Sequence, residues 1–122
     1  MSLNGSLAPG PTLAVAAALA DLRVGTWVHA SPLRPAWSTA WEANSLSVLT
    51  DGRFEMGVGT GRPGIEDELR ELGMPVVPAS ERLAQVRETV TASRARSDLT
   101  TTSRRTAARR NGLSGAPRNL RR

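Results

Sequence analysis

The period of apolar and polar positions changes several times along this chain, and each change marks an element. Residues 12–22 (TLAVAAALADL) are continuously small and apolar. Alanine is the best helix former and Thr12 is a candidate N-cap, so a short helix is predicted there. From Arg23 to His29 the period shortens to two: Val24, Thr26 and Val28 alternate with Arg23, Gly25 and Trp27. Branched side chains at that spacing predict a strand. Ser31-Pro32 and Arg34-Pro35 break it, and Pro35 suits the first turn of a helix, where its missing N–H costs nothing. Over Pro35–Leu49 the residues Trp37, Ala40, Trp41, Leu46 and Leu49 fall roughly on one face, with Glu42, Asn44 and Ser45 elsewhere. Asp51-Gly52 ends the segment, Gly52 being a good left-handed cap. Phe54, Met56 and Val58 then alternate with Glu55 and Gly57 as a second strand.

Strand, helix and strand over Leu22–Gly64 make a βαβ unit, which predicts a parallel pair joined by a right-handed crossover. An antiparallel hairpin between the two runs is incompatible with it. Glu55, turned away from the apolar set, suits the interior of a barrel more than a sheet covered on both faces. Downstream, Ile65–Leu72 (IEDELREL) reads as a short acidic helix closed by Gly73, and Val76-Val77-Pro78 as extended. Ser80 can cap a helix over Glu81–Thr91 with Leu83, Val86 and Val90 on one face. After Ala92 no period survives. The predicted organisation is therefore a disordered N-terminus over 1–11, an α/β domain over 12–92 and a disordered basic tail over 93–122.

Charge sharpens that division. The net +5 of the 122 residues is unevenly spread. Residues 1–92 hold 7 Arg against 10 acids, a balance of −3, while 93–122 hold 9 Arg against Asp98 alone, a balance of +8. An arginine-rich tail attracts phosphates, but without an aromatic side chain for base stacking the expected nucleic-acid binding is incidental. The charge jump coincides with the loss of periodicity, and the tail is rich in Arg, Ser, Thr, Ala and Gly. Residues of that kind are what a GC-rich coding sequence yields out of frame, so a frameshift or equivalent truncation near codon 92 is expected, with a genuine basic tail as the alternative.

Composition excludes some chemistries. There is no cysteine, hence no disulfide, thiolate ligand or cysteine nucleophile. All basic side chains are Arg and none is Lys, which fits codon bias. Ala18-Leu19-Ala20 resembles a leader cleavage site, but the apolar run is short and no positive charge precedes it, so a cytoplasmic protein is expected. No stretch approaches the roughly 20 apolar residues of a membrane span.

Two constellations bear on chemistry. Gly59, Gly61 and Gly64 satisfy G-x-G-x-x-G after a strand and before a helix, the context of a dinucleotide fingerprint. Pro63 inside the loop and Glu81, in a helix where a strand tip is required, weigh against that reading. A tight turn without a ligand and a close backbone approach to another cofactor both stay open. His29 is the single histidine, with no acidic neighbour in sequence and no second His or Cys, so no metal site is expected and a loop histidine without chemistry is the better reading.

Arg23–Val28 (RVGTWV), Leu33-Arg34-Pro35, the run from Leu49 to Gly61 (LTDGRFEMGVGTG), and Glu81-Arg82-Leu83 with Glu88 resemble the luciferase-like monooxygenase family over about residues 13–92. The resemblance implies a flavin- or deazaflavin-dependent oxidoreductase on a (β/α)₈ TIM barrel. Thr50 stands where the family usually has Ser before its Gly-Arg pair. By resemblance, Thr26, Trp27 and Val28 form a bulge, often with a non-proline cis peptide, that buttresses the flavin ring, and Gly59, Thr60 and Gly61 place backbone groups and a hydroxyl beside it. These six are the expected cofactor-binding residues; catalytic residues are unknown. A Glu often follows the last of these glycines in deazaflavin-using relatives, and here that position is Arg62. Neither the family's N-terminal strands nor its phosphate-binding C-terminal half has a counterpart in this sequence. A complete barrel takes about 250 residues, so the expectation is an α/β barrel fragment, a βαβ unit with flanking helices, whose competence as an enzyme is open. Its expected partners are flavin (FMN or a deazaflavin) and an unspecified small-molecule substrate, with further copies of the chain if an oligomer completes the site, and no membrane. The alternative is a non-catalytic protein binding nucleic acid through its basic tail.

Overall fold

A computed structural model of the chain describes residues 6–113. The elements in order are helix α1 (Pro9–Leu19), strand β1 (Val24–Ala30), a 3₁₀ turn (Ser31–Leu33), helix α2 (Ala36–Leu49), strand β2 (Phe54–Gly59), helix α3 (Ile65–Glu71) and helix α4 (Ala79–Leu113). The expectations for residues 1–5 and 114–122 lie outside the described residues. β1 and β2 pair in parallel, as the βαβ pattern requires. Among the described residues these two strands make up the sheet, so the outer edge of each carries no strand. No described helix is long and apolar enough to cross a membrane.

The first helix begins three residues earlier than expected. Pro9 and Pro11 occupy its first turn, where a missing N–H leaves nothing unpaired. Thr12 accordingly lies inside the helix, and its hydroxyl donates to the Ala8 carbonyl at 2.9 Å instead of capping. The far end is held by Arg53, just before β2. Its guanidinium donates to the carbonyls of Ala17, Ala20 and Leu22 at 3.1, 3.1 and 2.8 Å, and its Nε to Thr50 at 3.0 Å. One cation thus gathers the carbonyl ends of α1 and α2, where helix dipoles favour positive charge.

α2 is helical over the predicted residues but buries only part of the predicted face, Ala40 and Leu46. The inward arc is Thr39, Ala40, Leu46 and, at the C-cap, Thr50. The predicted stripe is mostly outside: Trp37, Trp41 and Leu49 are 63%, 58% and 73% exposed. The two indoles stack on each other, centroids 6.5 Å apart. Small side chains let α2 approach its neighbours closely, whereas indoles at the contact would hold it away. α4 departs from expectation in the same manner. Arg82 and Thr89 are buried and Leu83 is half exposed, while Arg82 pairs with Glu66 of α3 at 2.5 Å. The acidic helix α3 supplies the two most buried aliphatics, Ile65 and Leu69. Glu55 projects from the sheet into solvent and pairs with Arg23 at 2.6 Å.

The largest correction concerns residues 93–113. They continue α4 without a break, where a disordered tail was expected. Arg and Ala are strong helix formers, and the hydroxyls of Ser93, Thr100 and Thr106 bond back to carbonyls four residues earlier. The absence of periodicity signalled the absence of a buried face, and residues 101–112 are indeed all exposed. It did not signal the absence of a helix.

Candidate functional site

The site is built at the C-terminal ends of the two parallel strands, where βα units gather ligands. Pairing runs in register from Val24↔Phe54 to Thr26↔Met56, shifts, and resumes at His29↔Val58 and Ala30↔Gly59. Trp27 and Val28 therefore stand opposite Gly57 alone, which is a β-bulge. The Trp27–Val28 peptide bond is cis. Both features occur where the resemblance placed them.

Thr26 closes the ladder at the break. Its hydroxyl donates to the Gly57 carbonyl at 2.9 Å and accepts from the Gly57 N–H at 3.1 Å, replacing backbone bonds that the bulge removes. Val28 is seated over two glycines. A Cβ on Gly57 would lie 2.5 Å from the Thr26 carbonyl oxygen and 3.2 Å from Val28 Cγ1. One on Gly59 would lie 2.8 Å from Val28 Cγ2. Gly61 is filled from the other side: a Cβ there would meet Ile65 Cδ1 at 2.5 Å. Packing within the chain thus accounts for two of the three fingerprint glycines, which removes the ground for a dinucleotide reading.

Four of the six expected residues come together. Val28, Gly59, Thr60 and Gly61 line an open groove of about 510 Å³, with Ala30, Leu33, Arg62, Ile65 and Glu68 completing it. Arg62 and Glu68 pair across it at 3.2 Å. Thr26 and Trp27 line the adjoining hollow of about 340 Å³ against the start of α1, and Val28 is the wall between the two. Trp27 is 98% exposed and Val28 is half exposed, so the bulge presents apolar surface outward. Leu33, Ile65 and Glu68 were missed as lining residues. Leu33 had a signal, standing within the quoted Leu33-Arg34-Pro35; Ile65 and Glu68 reach the groove only because α3 folds back beneath the strand ends.

His29, expected as a loop histidine without chemistry, lies in β1. It lies beside Arg34 and Glu42, which form an ion pair with each other. Burial first, then the Arg34 charge, push its pKa below the ordinary 6.5, with Glu42 opposing. Its buried Nε2 has no hydrogen-bond partner. The sequence showed no acidic neighbour because Glu42 arrives from the second turn of α2.

Comparison with known proteins agrees with this geometry. The family described as luciferase-like monooxygenase matches residues 4–118. No curated protein and no solved structure matches the chain. The family match exceeds the 13–92 span of the quoted motifs and, like α4, continues past Ala92. With nearly its whole length matched, the chain belongs to the luciferase-like monooxygenase family.

Proposed function

We propose that the chain supplies the ring-side portion of a flavin-type cofactor site in an oxidoreductase, as one βαβ section of a (β/α)₈ barrel. The observation that carries the reading is the bulge itself: Val28 is held outward beside Gly59-Thr60-Gly61 at the strand ends. The groove fits a flat heteroaromatic ring on two counts. Its wall is the half-exposed aliphatic Val28 on a ladder pinned by Thr26, and the Gly59-Thr60-Gly61 backbone runs beside it with Leu33 and Ile65 completing an apolar lining. Val28 would support the ring face, and Gly59, Thr60 and Gly61 would offer it backbone groups and a hydroxyl. When bound, flavin or deazaflavin supplies hydride transfer or oxygen activation. The chain's own residues orient the ring and exclude water from one side. Arg62, where deazaflavin relatives often carry Glu, favours flavin mononucleotide.

Titration of the isotopically labelled chain with flavin mononucleotide, riboflavin and a deazaflavin, followed by amide NMR, tests the proposal. Weak binding is expected, with shifts concentrated at Val28, Gly59, Thr60 and Gly61 and with riboflavin nearly as effective as the mononucleotide, because ring contacts dominate. The absence of shifts at these amides at millimolar flavin overturns the site. Submicromolar binding by a monomer overturns the ring-side-only assignment, and tight binding by an oligomer shows that copies complete the site.

A further inference from the structure

The flavin reading leaves the distal part of α4 without a task, although it carries a dense run of exposed Arg among the described residues. Up to Thr100, α4 packs along α2 and against the 3₁₀ turn, and it is pinned by Arg82–Glu66 and by the Thr100 hydroxyl, which donates to Asn44 Oδ1 at 2.8 Å. Beyond Thr100 the helix projects for about 20 Å at 1.5 Å per residue. Arg104, Arg105, Arg109 and Arg110 lie on this stretch, and Arg94 and Arg96 stand on the turns just before Thr100 with Asp98 as the lone acid. None of the six guanidinium groups has an ion pair or side-chain hydrogen bond among the described residues. Like charges at Arg105 and Arg109, four residues apart, oppose the helix they stand on.

We infer that the distal half of α4 is an arm for duplex DNA, gripping phosphates without reading sequence. At about 100° per residue, Arg94, Arg105 and Arg109 share one sector of the helix, and Arg96 and Arg110 lie on the opposite side. A helix 10–12 Å across fills a B-form major groove of about 12 Å. Cations on two sides then meet the two phosphate walls. The planar guanidinium matches phosphate oxygens in pairs. Other polyanions fit less well. Leu99 is the single large apolar residue between Ser93 and Gly112, so the helix has no face to sink into a lipid surface. No aromatic residue follows Phe54, so single strands find no stacking platform. The deep, narrow major groove of duplex RNA does not admit a helix.

Binding of the full chain to a mixed-sequence DNA duplex, measured by fluorescence anisotropy across salt concentrations, tests the inference. Six phosphate contacts give a log–log salt slope near −5, a loss of about 10³-fold between 50 and 200 mM salt. The exposed substitutions R104Q/R105Q/R109Q/R110Q should leave the tryptophan emission of the body unchanged and bring the slope to about −2, and R105Q/R109Q alone should reduce its magnitude by about 2. Duplex should also raise far-ultraviolet helicity by relieving repulsion along the arm. Equal binding by the quadruple variant, equal affinity for single strands or duplex RNA, or binding confined to phosphatidylserine vesicles overturns the assignment.

Discussion

At the scale of single residues, the bulge depends on one hydroxyl. Thr26 satisfies both polar groups of Gly57, so Thr26→Val leaves a part-buried N–H and C=O unpaired. The expected cost is about 1–3 kcal/mol, largely restored by Thr26→Ser, measured by urea unfolding. Gly57→Ala should destabilise more than Gly59→Ala, because its Cβ meets a backbone oxygen while the other meets the rotatable Val28 side chain. His29 makes stability depend on pH. The unfolded chain protonates near 6.5 and the folded chain only at lower pH, so the unfolded state binds more protons between the two values. His29's contribution is fully present above 6.5 and declines as pH falls through the lowered folded value. His29→Leu should flatten this part of the profile in urea melts taken at successive pH values.

At the scale of elements, Arg53 and the α3–α4 pair decide how helices are joined. Arg53 bridges two helix ends through four carbonyls, a planar fork that an ammonium cannot reproduce. Arg53→Lys should therefore recover little of the roughly 2–4 kcal/mol expected from Arg53→Ala, given the strength of hydrogen bonds to charged donors. Calorimetry of the two variants checks this, and near-wild-type melting of the Lys variant would refute the bridging role. Helix extent in α4 and the buried faces of α2 and α4 were element-level misreadings that share a cause. Periodicity reports where a helix meets other apolar surface, so it is silent about a helix in solvent. It also misleads where the bulky Trp37, Trp41 and Leu49 stay outside and Thr39 and Thr50 go in.

At the scale of the molecule, the core is thin. Among the described residues the buried apolar side chains of the core are Ala17, Ala40, Leu46, Ile65 and Leu69, and both outer sheet edges are open. Unfolding of the monomer is expected below about 5 kcal/mol, at the low end for folded domains. A urea melt at two protein concentrations checks this, and a concentration-independent value well above that bound would contradict the packing described. The exposed indoles Trp27, Trp37 and Trp41 give a second readout: iodide should quench most of the tryptophan emission of the folded chain.

What the sequence alone determined is local and covalent in origin. Alternation of Val24, Thr26 and Val28 and of Phe54, Met56 and Val58 made two strands, Pro35 and Asp51-Gly52 bounded the helix between them, and a crossover of that length required a parallel pair. The motif spacing further identified the family. Tertiary structure decided the rest. Only packing shows that Gly57 and Gly59 make room for Val28, that Gly61 makes room for Ile65, and that Glu42 and Arg34 surround His29. Those relations join residues far apart in the chain or on different elements, and period and propensity carry no information about which surfaces will meet.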